Sequence, residues 1–187
     1  MPSQAAVIAD TRRWLERAVI GLNLCPFAKA PHAKGQIHYA VCAGASPADL
    51  RAALRAELQA LAALDAARRE TTLLMAPGLL ADFLDFNDFL DEADAVLTDL
   101  ELEGALQIAP FHPRFQFAGT REDDITNATN RAPYPTLHLL REASIDRAVA
   151  AFPEAEAIYE ANMATLERLG PRGWAALGVG AGGESGA

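Results

Sequence analysis

Two cysteines in 187 residues, Cys25 and Cys42, are too few to build a disulfide framework. No apolar run reaches the ~18 residues that a membrane-spanning helix requires. The first residues, Met1 to Val7, lack the basic stretch and apolar core of a secretory leader. These shortages lead us to expect a cytoplasmic protein with reduced thiols and no membrane partner. Positive charge is also short: 16 Lys+Arg stand against 25 Asp+Glu, a net charge of −9. Nucleic-acid binding needs a basic footprint, so none is expected. There is no phosphate-cradling loop, Rossmann glycine fingerprint, nucleophile-elbow serine or paired-cysteine zinc motif, and so no cofactor is assigned. The carboxylates between Asp82 and Asp94 drift around a helix instead of converging, and read as a solvated face rather than a metal site.

What is present is a globular balance, with 51% hydrophobic and 22% charged residues. A first helix is expected over about residues 4–22, with Ser3 as its cap, followed by a loop over 23–35. Strands are expected over 36–42, 70–76 and 105–111. Ser46-Pro47-Ala48-Asp49 is a strong helix start, with Leu50, Leu54, Leu58 and Leu61 as the buried stripe behind it. Further helices are read at about 86–103, stopped by Gly104, and at 136–151 and 154–169. A fourth, antiparallel strand over Phe115 to Ala118 is considered as well. Strands alternating with helices predict an α/β fold. We expect a single domain over 1–170, with a small three- to four-stranded, mostly parallel sheet covered by about five helices. Seven of the 13 glycines lie between Gly170 and Gly186, so residues 171–187 read as a Gly/Ala-rich tail.

Ala109 to Pro135 is the least ordinary stretch. It holds four prolines and no helical period, yet it carries Phe111, Phe115, Phe117 and Tyr134, which argue for order. Read as a helix, the next segment places Arg141 near the middle of an apolar arc and His138 within it. His138 and Glu142 then stand at i,i+4, a spacing that suits a carboxylate-oriented imidazole or two metal ligands. His112, at a strand end, is a second candidate imidazole. Cys25 is the candidate thiol, although a position just past a helix C-terminus would raise its pKa.

Leu22-Asn-Leu-Cys-Pro-Phe-Ala28, Asp85-Phe-Asn-Asp-Phe89, Gln107-Ile-Ala-Pro-Phe-His-Pro113 and Asn130-Arg-Ala-Pro-Tyr-Pro-Thr-Leu-His-Leu-Leu-Arg-Glu142 resemble segments of a bacterial and plastid family catalogued as domain of unknown function 1415. The resemblance runs from about Thr11 to Gly170. It implies no established activity, cofactor or catalytic residue. Where the family motif would carry serine, this chain has Ala132 and Pro110, which speaks against a nucleophilic serine at either place.

Three readings follow. The first is an enzyme acting on a small anionic molecule, a carboxylate or phosphate. In it Arg141, Arg131, Asn130, Arg114 and Tyr134 hold the substrate. His138 oriented by Glu142, or His112, moves a proton, and Cys25 supplies a thiol. The second is a metal- or haem-binding protein using Cys25, His112 or His138. The third is a non-catalytic structural protein whose loop network stabilises the fold or a homodimer.

Overall fold

The computed structural model describes residues 1–152 and 154–183; the last four residues of the expected tail lie outside the described residues. In chain order the elements are α1 (Gln4–Trp14), continued by a π-helical segment (Leu15–Ile20), then α2 (Lys29–Ala33), β1 (Ile37–Val41), α3 (Pro47–Ala63), β2 (Thr71–Met75), α4 (Phe83–Asp99), β3 (Leu106–Phe111), a 3-10 helix (Ile125–Asn130), β4 (Thr136–Arg141), α5 (Glu142–Ala151) and α6 (Ala155–Ala176).

The local signals act where the sequence placed them. The Ser3 hydroxyl accepts from the Ala6 N–H at 3.2 Å and starts α1. Ser46 and Asp49 form a reciprocal capping box around Pro47 at the head of α3. Leu50, Leu54, Leu58 and Leu61 are fully buried along one side of that helix. The Asp82 carboxylate caps α4 by accepting from the Leu84 N–H at 2.8 Å. That helix ends at Asp99 rather than at Gly104. Glu101 adopts φ 56° there, and the Leu102 N–H bonds back to the Leu97 carbonyl. A left-handed residue with this return bond closes the helix one turn before the glycine.

The sheet has strand order β1-β2-β4-β3. β1 and β2 are parallel, while β4 runs antiparallel to both β2 and β3. The sheet is therefore mixed, which corrects the expectation of a mostly parallel one. Its fourth strand is Thr136–Arg141, the segment read above as the start of a helix, and not Phe115 to Ala118. Both faces of this central strand carry leucine, Leu137 and Leu139 on one and the half-buried Leu140 on the other, so polarity shows no clean alternation. The ladder decides the matter: Leu73 faces His138 across β2/β4, and Ala109 faces it across β3/β4. Pairing on both edges satisfies the strand's backbone groups, which outweighs the helix propensity of Leu and Arg. The predicted 23–35 loop contains α2, and helices are more numerous than expected: six α-helices with the π and 3-10 segments among the described residues.

The two faces of the sheet are covered unequally. One face packs Leu74, Leu137, Leu139 and Leu106 against the leucine stripe of α3 and Phe86, Phe89 and Val96 of α4. The other carries Ile37, Tyr39, Leu73, Met75 and Phe111 beneath Val7, Trp14, Leu15 and Val19 of the first helix. Residues 171–176, assigned to a tail by the sequence reading, form the end of α6 beyond a kink at Gly170 (φ 67°). The chain after it is tied back to α1. Arg13 Nε donates to the Gly178 carbonyl at 3.0 Å, and the Gly182 N–H donates to Asp10 at 2.8 Å.

One polar group in the leucine core is out of place. The Thr72 hydroxyl is fully buried and has no hydrogen-bond partner. Valine has nearly the same shape and removes the desolvation penalty. We expect Thr72→Val to raise stability by about 1 kcal/mol in urea unfolding with an unchanged m-value.

Candidate functional site

The first helix does not cover the whole of its sheet face. A recess of about 600 Å³ remains over β2, β4 and β3, within the range typical of ligand pockets. Its floor is Thr71, Leu73, His138, Leu140, Ala109 and Phe111. One wall is Trp14, Leu15 and Val19, a second is Cys25 to Ala28 with Ala30 and Pro31, and the roof is Ser144, Ile145, Arg147, Ala148 and Val149 of α5. The lining is mainly carbon. None of the ten residues of α5 is buried, although the helix is amphipathic. Its apolar side faces the recess instead of closing on the sheet.

Local chain geometry brings Cys25 to the wall. The π-helical segment ends at Gly21, where a Cβ would lie 2.3 Å from the Arg17 carbonyl oxygen, so only glycine fits. Asn23 follows with φ 54°, a conformation asparagine tolerates. Together they reverse the chain, and the Leu24 N–H returns to the Val19 carbonyl at 2.9 Å. From α6, the buried Asn162 amide donates to the Leu24 carbonyl at 2.8 Å and fixes the turn next to the thiol. Burial pushes the Cys25 thiol up, and the N–H groups of Phe27 and Ala28 partly oppose that by favouring the thiolate.

His138 stands at the centre of the floor. The Thr71 hydroxyl lies 2.7 Å from its Nε2 and 2.6 Å from the Leu139 carbonyl oxygen. A carbonyl only accepts, so the single hydroxyl proton goes to Leu139. Thr71 must then accept from Nε2–H. The neutral ring therefore carries its proton on Nε2 and keeps the Nδ1 lone pair as its free acceptor. Enclosure by the surrounding protein pushes the imidazole down to about 4, so it is neutral at physiological pH.

Arg141 borders the recess, but its guanidinium turns away from it. It donates to the carbonyls of Leu61 (2.9 Å), Leu64 (2.8 Å) and Arg69 (2.7 Å), tying the C-terminal end of α3 to β4. Glu142 opens α5, where its backbone N–H donates to Ala105. Because His138 is in a strand and Glu142 in a helix, the expected i,i+4 pairing on one helix does not exist.

The other candidates lie outside the recess. His112 is fully buried against Phe83 and Phe86. Its Nε2 donates to the Leu80 carbonyl at 2.9 Å, and its Nδ1 accepts from the Arg114 N–H at 3.0 Å, so both ring nitrogens are occupied. Burial lowers its pKa too. The Arg114 side chain pairs with Glu122 at 2.9 Å on the surface. Arg131 donates to the carbonyls of Phe115 and Glu122, and Asn130 to that of Pro110. These bonds fold the long loop onto itself. The Tyr134 hydroxyl donates to Asp10 at 2.7 Å beneath α1, and burial together with that carboxylate raises its pKa. Of the nine candidates, the structure thus brings Cys25, His138 and the edge of Arg141 together.

Thr71, Gln107, Ser144 and Arg147 also line the recess and were missed. Alternation along β2 would have put Thr71 on the same face as Leu73. Arg147 beside the stripe Ile145, Ala148, Val149 was readable only once α5 was known to begin at Glu142. Among the described residues, no group of three His, Cys, Asp or Glu side chains is placed to hold a metal ion. No helix among them is long and apolar enough to cross a membrane.

Residues 6–176 match the family described as Protein of unknown function (DUF1415), and the chain belongs to that family. No curated protein and no solved structure matches it.

Two predictions follow from this geometry. Arg141→Ala removes the donor shared by the carbonyls of Leu61 and Leu64 at the end of α3 and of Arg69 in the loop after it, and should cost about 2–4 kcal/mol in urea unfolding. The second concerns acid. His138 has a folded pKa of about 4, below its ordinary 6.5, so between those values the unfolded chain holds the extra proton. Stability is then fully present above 6.5 and is lost as pH falls toward 4. The loss is at most about 3 kcal/mol. His112 is shifted in the same direction, so the comparison of wild type with His138→Gln isolates the His138 share. The variant should show a visibly flatter stability profile between pH 6.5 and 4.

Proposed function

We propose that this family member is an enzyme acting on a small molecule that lies in the recess beneath α5, by thiol and imidazole chemistry at Cys25 and His138. The observation that supports it is the hydrogen-bond chain from His138 Nε2–H through Thr71 to Leu139. It commits the ring to one tautomer and leaves Nδ1 as a base on the same lining as a thiol. A purely structural histidine has both nitrogens engaged, as His112 does. His138 keeps one unspent.

The low pKa of His138 and the raised pKa of Cys25 set the resting state as neutral imidazole and neutral thiol. That is the uncharged form a carbon-lined recess favours. A substrate between them meets the sulfur as nucleophile; so weak a base does not ionise the resting thiol, and the proton passes to Nδ1 only as the sulfur–substrate bond forms. When the ring becomes imidazolium it can return that proton to a leaving group. The N–H groups of Phe27 and Ala28 favour the thiolate as it forms. Thr71 holds the ring in orientation and accepts from the Nε2–H throughout.

The test needs no substrate. N-ethylmaleimide is small, uncharged and thiol-directed, and intact-mass measurement reads its addition to Cys25, with Cys42 buried in the opposite core as an internal control. We expect His138→Gln to slow alkylation of Cys25 at pH 7 by about tenfold or more, with the fold retained by circular dichroism. Ala109→Phe, which fills the floor of the recess, should slow it as well. Equal rates in wild type and His138→Gln would overturn the partnership of thiol and imidazole.

A further inference from the structure

We infer that the molecule taken by the recess is an amphiphile, with an apolar body lying on the sheet face and one oxyanion, carboxylate or phosphate, held at the edge by Arg147. This rests on the reading of the recess as a small-molecule site and names the class of molecule that fits it.

The apolar body follows from the walls. Leu73, Phe111, Trp14, Val19 and Ile145 supply carbon surface on the floor, on one wall and on the roof. The volume corresponds to roughly 20 water molecules at about 30 Å³ each, so the body is of that order in heavy atoms. Water in such a place finds few partners, and an apolar chain displaces it favourably.

The oxyanion follows from the charges. Two guanidiniums and one carboxylate, that of Glu70, belong to residues of the lining, although the whole chain carries −9. Arg141 has turned its Nε and Nη2 donors to three backbone carbonyls. Arg147 has not. Its one bond is to the Ser144 hydroxyl at 2.9 Å, one turn back on α5, and it makes no ion pair with Glu70 or any other described carboxylate. Both residues lie on the lining at the exposed side of α5. A guanidinium and a hydroxyl, side by side above a carbon-lined space, match the two ends of an amphiphile: donors for the head and an apolar bed for the body. The head stays hydrated at the edge, so its charge does not pay the penalty of burial.

Sodium decanoate, decyl phosphate and 1-decanol test this, with binding followed by calorimetry and by protection of Cys25 from N-ethylmaleimide. We expect decanoate or decyl phosphate to bind at least about tenfold tighter than decanol at low salt, with the advantage shrinking in 0.5 M NaCl. Whichever head binds tighter identifies the oxyanion. Arg147→Gln should bring the charged compounds down to the affinity of decanol and leave decanol unchanged. Ala109→Phe should weaken all three. If decanol binds as tightly as both anions, or Arg147→Gln changes nothing, the oxyanion assignment is overturned while the recess stands as an apolar site. If none of the three binds or protects Cys25, the amphiphile class is overturned. If the alkylation rate also proves indifferent to His138→Gln and Ala109→Phe, the reading of the recess as a site falls with it.

Discussion

The insertion of β4 between β2 and β3 governs the molecule. Without it the two α/β crossovers would leave β2 and β3 with unpaired edges, and neither sheet face would be continuous. With it, every residue of the strand acquires a fixed side. Leu137 and Leu139 go to the leucine core under α3 and α4, while Thr136, His138 and Leu140 go to the opposite face. A slip of one residue would exchange the two sets and place an imidazole among leucines. The register is therefore held by the cost of burying polar groups on the wrong face, and that cost is what puts His138 where a small molecule could reach it. Arg141 closes the arrangement by tying the end of the strand to the end of α3, so the strand cannot slide along its neighbours without exposing three carbonyls.

The arginines divide according to what the backbone needs. Ala109 to Pro135 has little regular structure, and its carbonyls need donors. Arg131 and Asn130 supply them, and Asn127 adds bonds to the Phe117 N–H and the Arg121 carbonyl. The long loop is thus ordered by its own polar side chains and by packing of the 3-10 helix against α6. Ala128 and Leu166 are fully buried in that contact. The Nε–Nη2 edge of Arg131 is turned to the Phe115 and Glu122 carbonyls rather than to an external anion. This is why the positive charges nearest the sheet end are structural in their contacts, whereas Arg147, on a helix whose backbone is internally bonded, keeps its fork.

How much of this could be read beforehand varied with the kind of signal. The helix starts at Ser3 and Ser46 were legible because caps act within four residues, whereas the Asp82 cap, which starts α4 three residues before the expected position, was read only as part of an acidic face. The leucine stripe of α3 was legible because one face of that helix is buried and the other is not. β4 was not legible, because it carries leucine on both faces, the recess side included, so no run of polar residues marks its period. The error spread: an arc of residues drawn on a helix that does not exist brought Arg141 and Glu142 beside His138, when the sheet sends Arg141 to the far face. Cys25 and His138 survived as neighbours of one space for a different reason than the one first given. Their meeting depends on the turn at Gly21 and Asn23 and on β4 lying third in the sheet, and neither is a property of the residues nearby.

The unburied state of α5 gives the recess its physical meaning. An amphipathic helix ordinarily closes its apolar side on whatever lies beneath, because carbon surface left in water costs about 25 cal/mol per Å². Here Ile145, Ala148 and Val149 stand over Leu140 and Leu73 with a gap between, and Phe152 at the helix end reaches Phe27 edge-on at a ring distance of 6.1 Å. The helix begins directly after Arg141, whose side chain is fixed on the other face, so its first turn starts from a strand end that is tied down. A molecule filling the gap would complete a core that the protein leaves half built, with its own atoms standing where a side chain would otherwise be. Binding and consolidation of α5 would then be one event, driven by the same apolar surface that folds the rest of the sheet face.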